Sequence, residues 1–199
     1  MKKTHPIHDT TLVFDLVTSG FSPQLSIHPF QVNNFDECRV IRIGYVILDN
    51  EYNFMKKVQH TVNHDHNIVE TFSNIHYSNS INNVDLMFIP FGDVMEEFSK
   101  DLHTCKQLVS HNIDVVLNVL LSELYRDYIK YKPLIGTLYL KKTVCTMKLG
   151  KLYLMSVKYP KLSFLYKYIY NANLIDSGEL IDNVIACAKC FIHIDSEPY

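Results

Sequence analysis

Thr11-Leu-Val-Phe-Asp-Leu-Val-Thr-Ser-Gly20 is the stretch whose reading decides the fold. Leu12 to Leu16 is a short apolar run of strand-forming residues, which predicts a buried β-strand. It carries one acid, Asp15. Side chains two apart on a strand share a face, so Asp15 and Val17 project together and present one carboxylate beside one isopropyl group. Mg²⁺ takes oxygen ligands in near-octahedral geometry, and valine supplies none.

Working outward, Val40 to Leu48 and Tyr52 to Val62 are two further strand candidates joined at Asp49-Asn50-Glu51, a hairpin-like turn. Ser22 to Asp36, with Pro23 and Pro29, reads as a loop, and Asn63 to Val84 as an irregular connection rich in Asn, Ser and His. Val94, Phe98 and Leu102 give Phe91 to Leu102 a helical period beginning just after Pro90. A short strand at Gln107 to Ser110, an apolar helix at Ile113 to Tyr128 and a strand at Thr143 to Met147 follow. Lys161 to Tyr170 and Gly178 to Ile194 read as the last two helices. The expected division is an extension over 1–10, one α/β domain over 11–195 and a tail over 196–199.

Three motifs carry a resemblance. Thr11 to Gly20 resembles the first motif of the DnaQ-like 3′–5′ exonucleases, F-D-x-E-T-T-G, with Val17 in place of the Glu. Ser110-His-Asn-Ile-Asp-Val-Val-Leu-Asn-Val-Leu120 resembles the second, A-H-N-x-x-F-D-x-x-x-L. His111 and Asn112 match there, while Val116 stands where the catalytic Asp belongs. Asp114 sits about 200° round a helix from it. Ser177-Gly-Glu-Leu-Ile-Asp182 resembles the third, H-x-x-x-x-D, with Ser177 replacing the His and Asp182 retained. Cys145-Thr-Met-Lys148, Tyr159-Pro-Lys-Leu-Ser163 and Ile75-His76 look like family spacers. The likeness runs from Thr11 to Ile194, and implies a ribonuclease H-like fold with a central mixed sheet flanked by helices.

Members of that family hydrolyse nucleic acid ends with two Mg²⁺ or Mn²⁺ ions and a histidine base. Of the positions that do this, Asp15 and Asp182 remain as vestiges, whereas Val17, Val116 and Ser177 are degenerate. Loss of one catalytic group costs orders of magnitude, so the expectation is a catalytically inactive exonuclease-fold module that binds or scaffolds. No cofactor is expected, or at most one metal held weakly by Asp15 and Asp182. The alternative is a residual metal-dependent 3′–5′ exonuclease using displaced acids among Asp176, Glu179 and Asp182. Cys187-x-x-Cys190-x-x-His193 reads as a buried helix face rather than a zinc site, and His64-Asp-His66 as a solvated loop.

Charge is segregated. Nine lysines and no Asp or Glu fall between Tyr128 and Tyr170, together with eight tyrosines; with −2 overall, the remainder carries −11. Lysines for phosphates and aromatics for bases suit single-stranded nucleic acid. Lys141, Lys142, Lys148, Lys151, His111 and Asn112 are the expected contacts, and a protein partner or homo-oligomer is the other class of partner. No apolar run is long enough to span a membrane, and no membrane partner is expected. Five scattered cysteines point to a reducing intracellular compartment. The abundance of Asn, Ile, Lys and Tyr without Trp is the bias of an AT-rich genome such as a large DNA virus, with host cytoplasm or virion as the matching location.

Overall fold

The computed structural model describes residues 10–63, 88–174 and 177–197. His64-Asp-His66, Ile75-His76 and Asp176 lie outside them, as does nearly all of the Asn63 to Val84 connection. β1 (Thr10–Thr18), β2 (Val40–Leu48) and β3 (Phe54–Asn63) form an antiparallel meander. β5 (Cys105–Ser110) lies parallel to β1, β6 (Lys142–Cys145) parallel to β5, and the short β4 (Phe88–Pro90) parallel to β3. The sheet order is therefore β4-β3-β2-β1-β5-β6, the mixed sheet that the motifs imply.

Period-two alternation divides β1 between two cores. Leu12 and Phe14 enter one core with Phe98 and Leu102 of α1 (Phe91–Thr104), Val119 and Leu120 of α2 (Ile113–Arg126), and Leu134 and Leu138 of α3 (Tyr128–Leu140). Val13 and Val17 turn to the other face, where Val46, Leu48 and Val109 meet Leu180, Val184, Cys187 and Phe191 of α6 (Leu180–Ser196). A third cluster of Leu165, Cys190 and Ile194 joins α6 to α5 (Leu162–Tyr170). Burial on both faces is why β1 and β2 read as nearly continuous apolar runs. Each such side chain contributes about 1.5–3 kcal/mol.

One charged tie crosses the first core. The Glu123 carboxylate is buried and accepts from Arg39 Nε at 2.7 Å, Arg39 Nη2 at 3.0 Å and the Val40 amide at 3.0 Å. It fixes the start of β2 to α2.

Several boundaries differ from the expected ones. β3 begins at Phe54 rather than Tyr52, because Asp49 Oδ1 takes the amides of Glu51 and Asn53 at 2.9 and 2.8 Å, and Tyr52 occupies the left-handed position at φ 64°. The strand read over Thr143 to Met147 stops at Cys145, and Thr146 opens α4 (Thr146–Tyr153). The loop between β1 and β2 holds a 3₁₀ turn at Val32–Phe35 that buries Phe35. α3 and α4 were not expected. Among the described residues no helix is long and apolar enough to cross a membrane.

Candidate functional site at the end of the first strand

Asp15 is half-buried near the C-terminal end of β1, between Val13 and Val17 on the α6 face. Its Oδ1 accepts the amide of its own neighbour Leu16 at 2.9 Å. Burial pushes the carboxyl up to about 6, and the Leu16 N–H offsets only part of that rise.

The sheet register sets its surroundings. Asp15 pairs with Gly44 on β2, and Gly44 pairs with Gln59 on β3. Gly44 has no side chain, so α6 closes onto it: a Cβ there would lie 3.1 Å from Leu180 Cγ and 3.4 Å from Val184 Cγ2. Gln59 then grips the start of α6. Its Oε1 accepts the Ile181 amide at 2.7 Å, and its Nε2 donates to Glu179 Oε2 at 2.6 Å. Arg42, opposite Val17, donates to the Gly178 carbonyl at 3.3 Å and lies 4.0 Å from the Glu179 carboxylate. The Ser177 hydroxyl donates to the Asp182 carboxylate and accepts the Glu179 amide at 3.1 Å.

Asp15 and Asp182 thus stand at the same end of the sheet on the same side. Asp182, Ala186 and Cys190 share an i, i+4 ridge of α6, the flank that packs toward α5 at Cys190. The three degenerate positions are placed apart from one another. Val17 is packed in the α6-face core, Val116 is buried in the core of the opposite face, and Ser177 is exposed. Among the described residues no three His, Cys, Asp or Glu side chains converge as metal ligands. On the strand face that Asp15 shares with Val17, the neighbouring position offers an isopropyl group and no oxygen ligand.

His111 and Asn112, expected to meet nucleic acid, both have partners within the fold. Burial lowers the His111 pKa, favouring the neutral ring. Its Nε2 is 3.1 Å from the Pro160 carbonyl and its Nδ1 3.0 Å from Thr146 Oγ1, which is 3.4 Å from Cys187 Sγ. A neutral ring satisfies this chain in one sense only. Nε2–H donates to Pro160, Nδ1 accepts the threonine proton, and the Cys187 thiol donates to the threonine oxygen. Burial also pushes the Cys187 thiol up, with the Asp15 charge adding to the effect. Asn112 takes the left-handed conformation at φ 68° and opens α2, its carbonyl accepting the Val115 and Val116 amides. Asparagine is one of the few residues that enters this region readily.

Of the four lysines expected to meet phosphates, two are engaged within the molecule. Lys141 donates to the Cys105 carbonyl, and Lys148 pairs with Asp114 at 2.6 Å. Lys142 is exposed on β6, and the Lys151 ammonium lies 4.7 Å from the Tyr159 ring centroid. Tyr159, Phe164 and Tyr168 are exposed in the same region.

Gly44, Arg42, Gln59, Thr146 and Pro160 were not anticipated as parts of this site. Gly44 alone left a signal, a glycine inside a β-branched strand, which marks a close approach.

No protein-family profile matches the chain, and no curated protein matches it. Solved structures do. Escherichia coli exonuclease I in complex with a dT13 oligonucleotide superposes with a TM-score of 0.57 at 11% identity, over 94% of this chain and 41% of that one. Exonuclease I with the inhibitor BCBP gives 0.52 at 12% identity, and its SSB-Ct complex 0.51 at 12%, each over 94% of this chain and 41% of the other. The chain therefore spans about two fifths of the length of these neighbours. Sheet order, register and superposition agree on one conclusion: the chain has the ribonuclease H-like fold of an exonuclease.

Proposed function

We propose that this chain is a catalytically silent exonuclease-fold module that holds single-stranded nucleic acid weakly through its lysine- and tyrosine-rich half and serves as a scaffold. The observation that carries the reading is the setting of Asp15. Its would-be partner Val17 is packed against α6, and burial raises its own carboxyl to about 6. Asp15 is therefore a half-buried carboxylate without a second oxygen ligand on its own strand face to share a cation. Ser177 contributes a hydroxyl bonded to Asp182, which is no base near neutral pH.

Exposed Lys142, Lys158, Lys161 and Lys167 supply cations, and exposed Tyr159, Phe164 and Tyr168 supply stacking rings. All five cysteines are free and buried, in keeping with a reducing compartment such as host cytoplasm or virion interior. An accessory place in viral replication or particle assembly fits such a module.

The rival reading, a residual exonuclease, rests on Asp15, Glu179 and Asp182 being carried by elements that meet at one end of the sheet, with their side chains not converging on one point. Incubation with a 3′-labelled single strand in Mg²⁺ or Mn²⁺ separates the two. We expect no shortening above an Asp15→Ala control. Shortening that disappears only in Asp15→Ala would establish the exonuclease instead.

A further inference from the structure

The turn that follows α4 holds aliphatic side chains out in water. Met155 is 95% and Val157 90% exposed, and Leu152 in the last turn of α4 is 68% exposed. Hydrogen bonds fix the turn from both sides. The Ser156 amide donates back to the Lys151 carbonyl and the Met155 amide to the Leu152 carbonyl, both at 3.0 Å, the paired cap that ends many helices. Ser156 Oγ then donates to the Lys158 carbonyl at 2.9 Å and accepts the Lys158 amide at 3.2 Å. Beyond it Pro160 is buried, and its carbonyl accepts from His111 Nε2 at 3.1 Å.

Met155 occupies the left-handed position of that cap, at φ 49°. Glycine takes this position without strain, and a side chain there is unfavourable. At 95% exposure the methionine recovers almost nothing by packing within the chain. Strained, held in place and bare, it is an apolar group presented outward.

The neighbouring charges select the partner. Lys151, Lys158 and Lys161 flank the turn along the chain, and no Asp or Glu occurs anywhere between Tyr128 and Tyr170. Tyr159 is exposed under the Lys151 ammonium, and Tyr168 of α5, also exposed, packs edge-on against Tyr153 at the end of α4. Aliphatic tips, aromatic rings and a set of cations without acids match the boundary of an anionic bilayer. The aliphatics pass below the headgroups, the rings sit at their level, and the ammoniums meet the negative lipid. A single strand of nucleic acid would satisfy the lysines and rings but leave Met155 and Val157 in water. Peripheral attachment of this kind needs no spanning helix.

We propose that the turn over 152–159 is a docking point for an anionic lipid bilayer, into which Leu152, Met155 and Val157 insert while Lys151, Lys158 and Lys161 pair with the headgroups. The proposal goes beyond the nucleic-acid reading and does not depend on it.

Co-sedimentation of the whole chain with phosphatidylcholine vesicles, with and without about one third phosphatidylserine, tests this. Binding to the anionic vesicles is expected, and binding about tenfold or more weaker to phosphatidylcholine alone. Met155→Gly removes the side chain and its strain together. The melting temperature should therefore hold or rise while binding to anionic vesicles falls about tenfold. The chain has no Trp, so Met155→Trp supplies a single reporter, whose emission should shift to the blue on anionic vesicles and be quenched by lipid-borne quenchers. Failure to bind anionic vesicles overturns the proposal, as does binding that Met155→Gly leaves intact or that leaves the reporter's emission where it stands in water. A labelled single strand whose binding falls tenfold in Met155→Gly would assign the turn to nucleic acid instead.

Discussion

Leu180 of α6 occupies the space that a side chain on Gly44 would need, with its Cγ 3.1 Å from where that Cβ would lie. A strand built largely of Val and Ile keeps a glycine here because the last helix must descend onto it. Gly44→Ala should therefore destabilise by about 1 kcal/mol and Gly44→Val by about 2–3 kcal/mol, despite valine's preference for strands. In a double-mutant cycle by denaturant unfolding, Leu180→Ala should recover part of the Gly44→Ala loss. Strict additivity would show that the two do not share this space.

Asp15→Asn should make stability depend less on pH. The folded carboxyl titrates at about 6 against 3.8 for the ordinary group, so the native state binds the extra proton between these values. Native stability then falls as pH rises from about 4 to 6 and stays lower above. At pH 8 the Asn variant should gain about 1–3 kcal/mol over the parent, and at pH 4 it should match it. Thermal melts across that range would decide; an equal effect at both ends would remove the burial argument.

His111 should contribute with the opposite sign. Its lowered pKa means that the unfolded chain takes up a proton first as pH falls through the ordinary histidine range near 6.5, and native stability declines with it. His111→Phe breaks the links to Pro160 and Thr146 and should cost about 2–3 kcal/mol at pH 8. It should also abolish that acid-side decline. Denaturant midpoints at pH 8 and pH 6 in both proteins measure the two effects separately.

Among the lysines, position in the fold now predicts different outcomes. Charge reversal at Lys142 and Lys151 should weaken binding to a labelled single strand and lower the salt slope by roughly 0.7 for each phosphate no longer neutralised. Lys148→Glu would face Asp114 across 2.6 Å and should also lower the melting temperature. Titrations at two salt concentrations, with melts alongside, separate the classes. Binding indifferent to Lys142 and Lys151 would reassign that surface to a protein partner.

The fold was legible wherever one period persisted. β1, β2 and the core helices α1, α2 and α6 follow from alternation or from apolar residues three and four apart. α3 escaped because its apolar residues surround the axis and Pro133 lies inside it; the Asp127 side chain capping the Lys130 amide at 3.3 Å was its only start signal. β6 was read too long because Thr146 is β-branched, yet its hydroxyl is fixed between His111 and Cys187. Asp15 could be picked out from its strand alone. Among its neighbours only Gly44 marked itself, because Gln59 comes near through strand register and α6 arrives from a distance of well over a hundred residues.

The sheet order also bears on how the chain acquires its structure. The three-stranded meander closes from local pairings, all within residues 10–63. β1, however, is an interior strand whose second neighbour is β5, and the hydrogen bond from Thr10 to the Thr104 carbonyl spans 94 residues. As the chain leaves the ribosome, the free edge of β1 is a completed template with no partner yet made. Such an edge recruits foreign strands, and long-range parallel pairing is slow. Emergence of Cys105 to Ser110 is then the step that commits the chain to its native sheet, and substitutions in β5 should raise aggregation during synthesis more than they lower the stability of the finished protein.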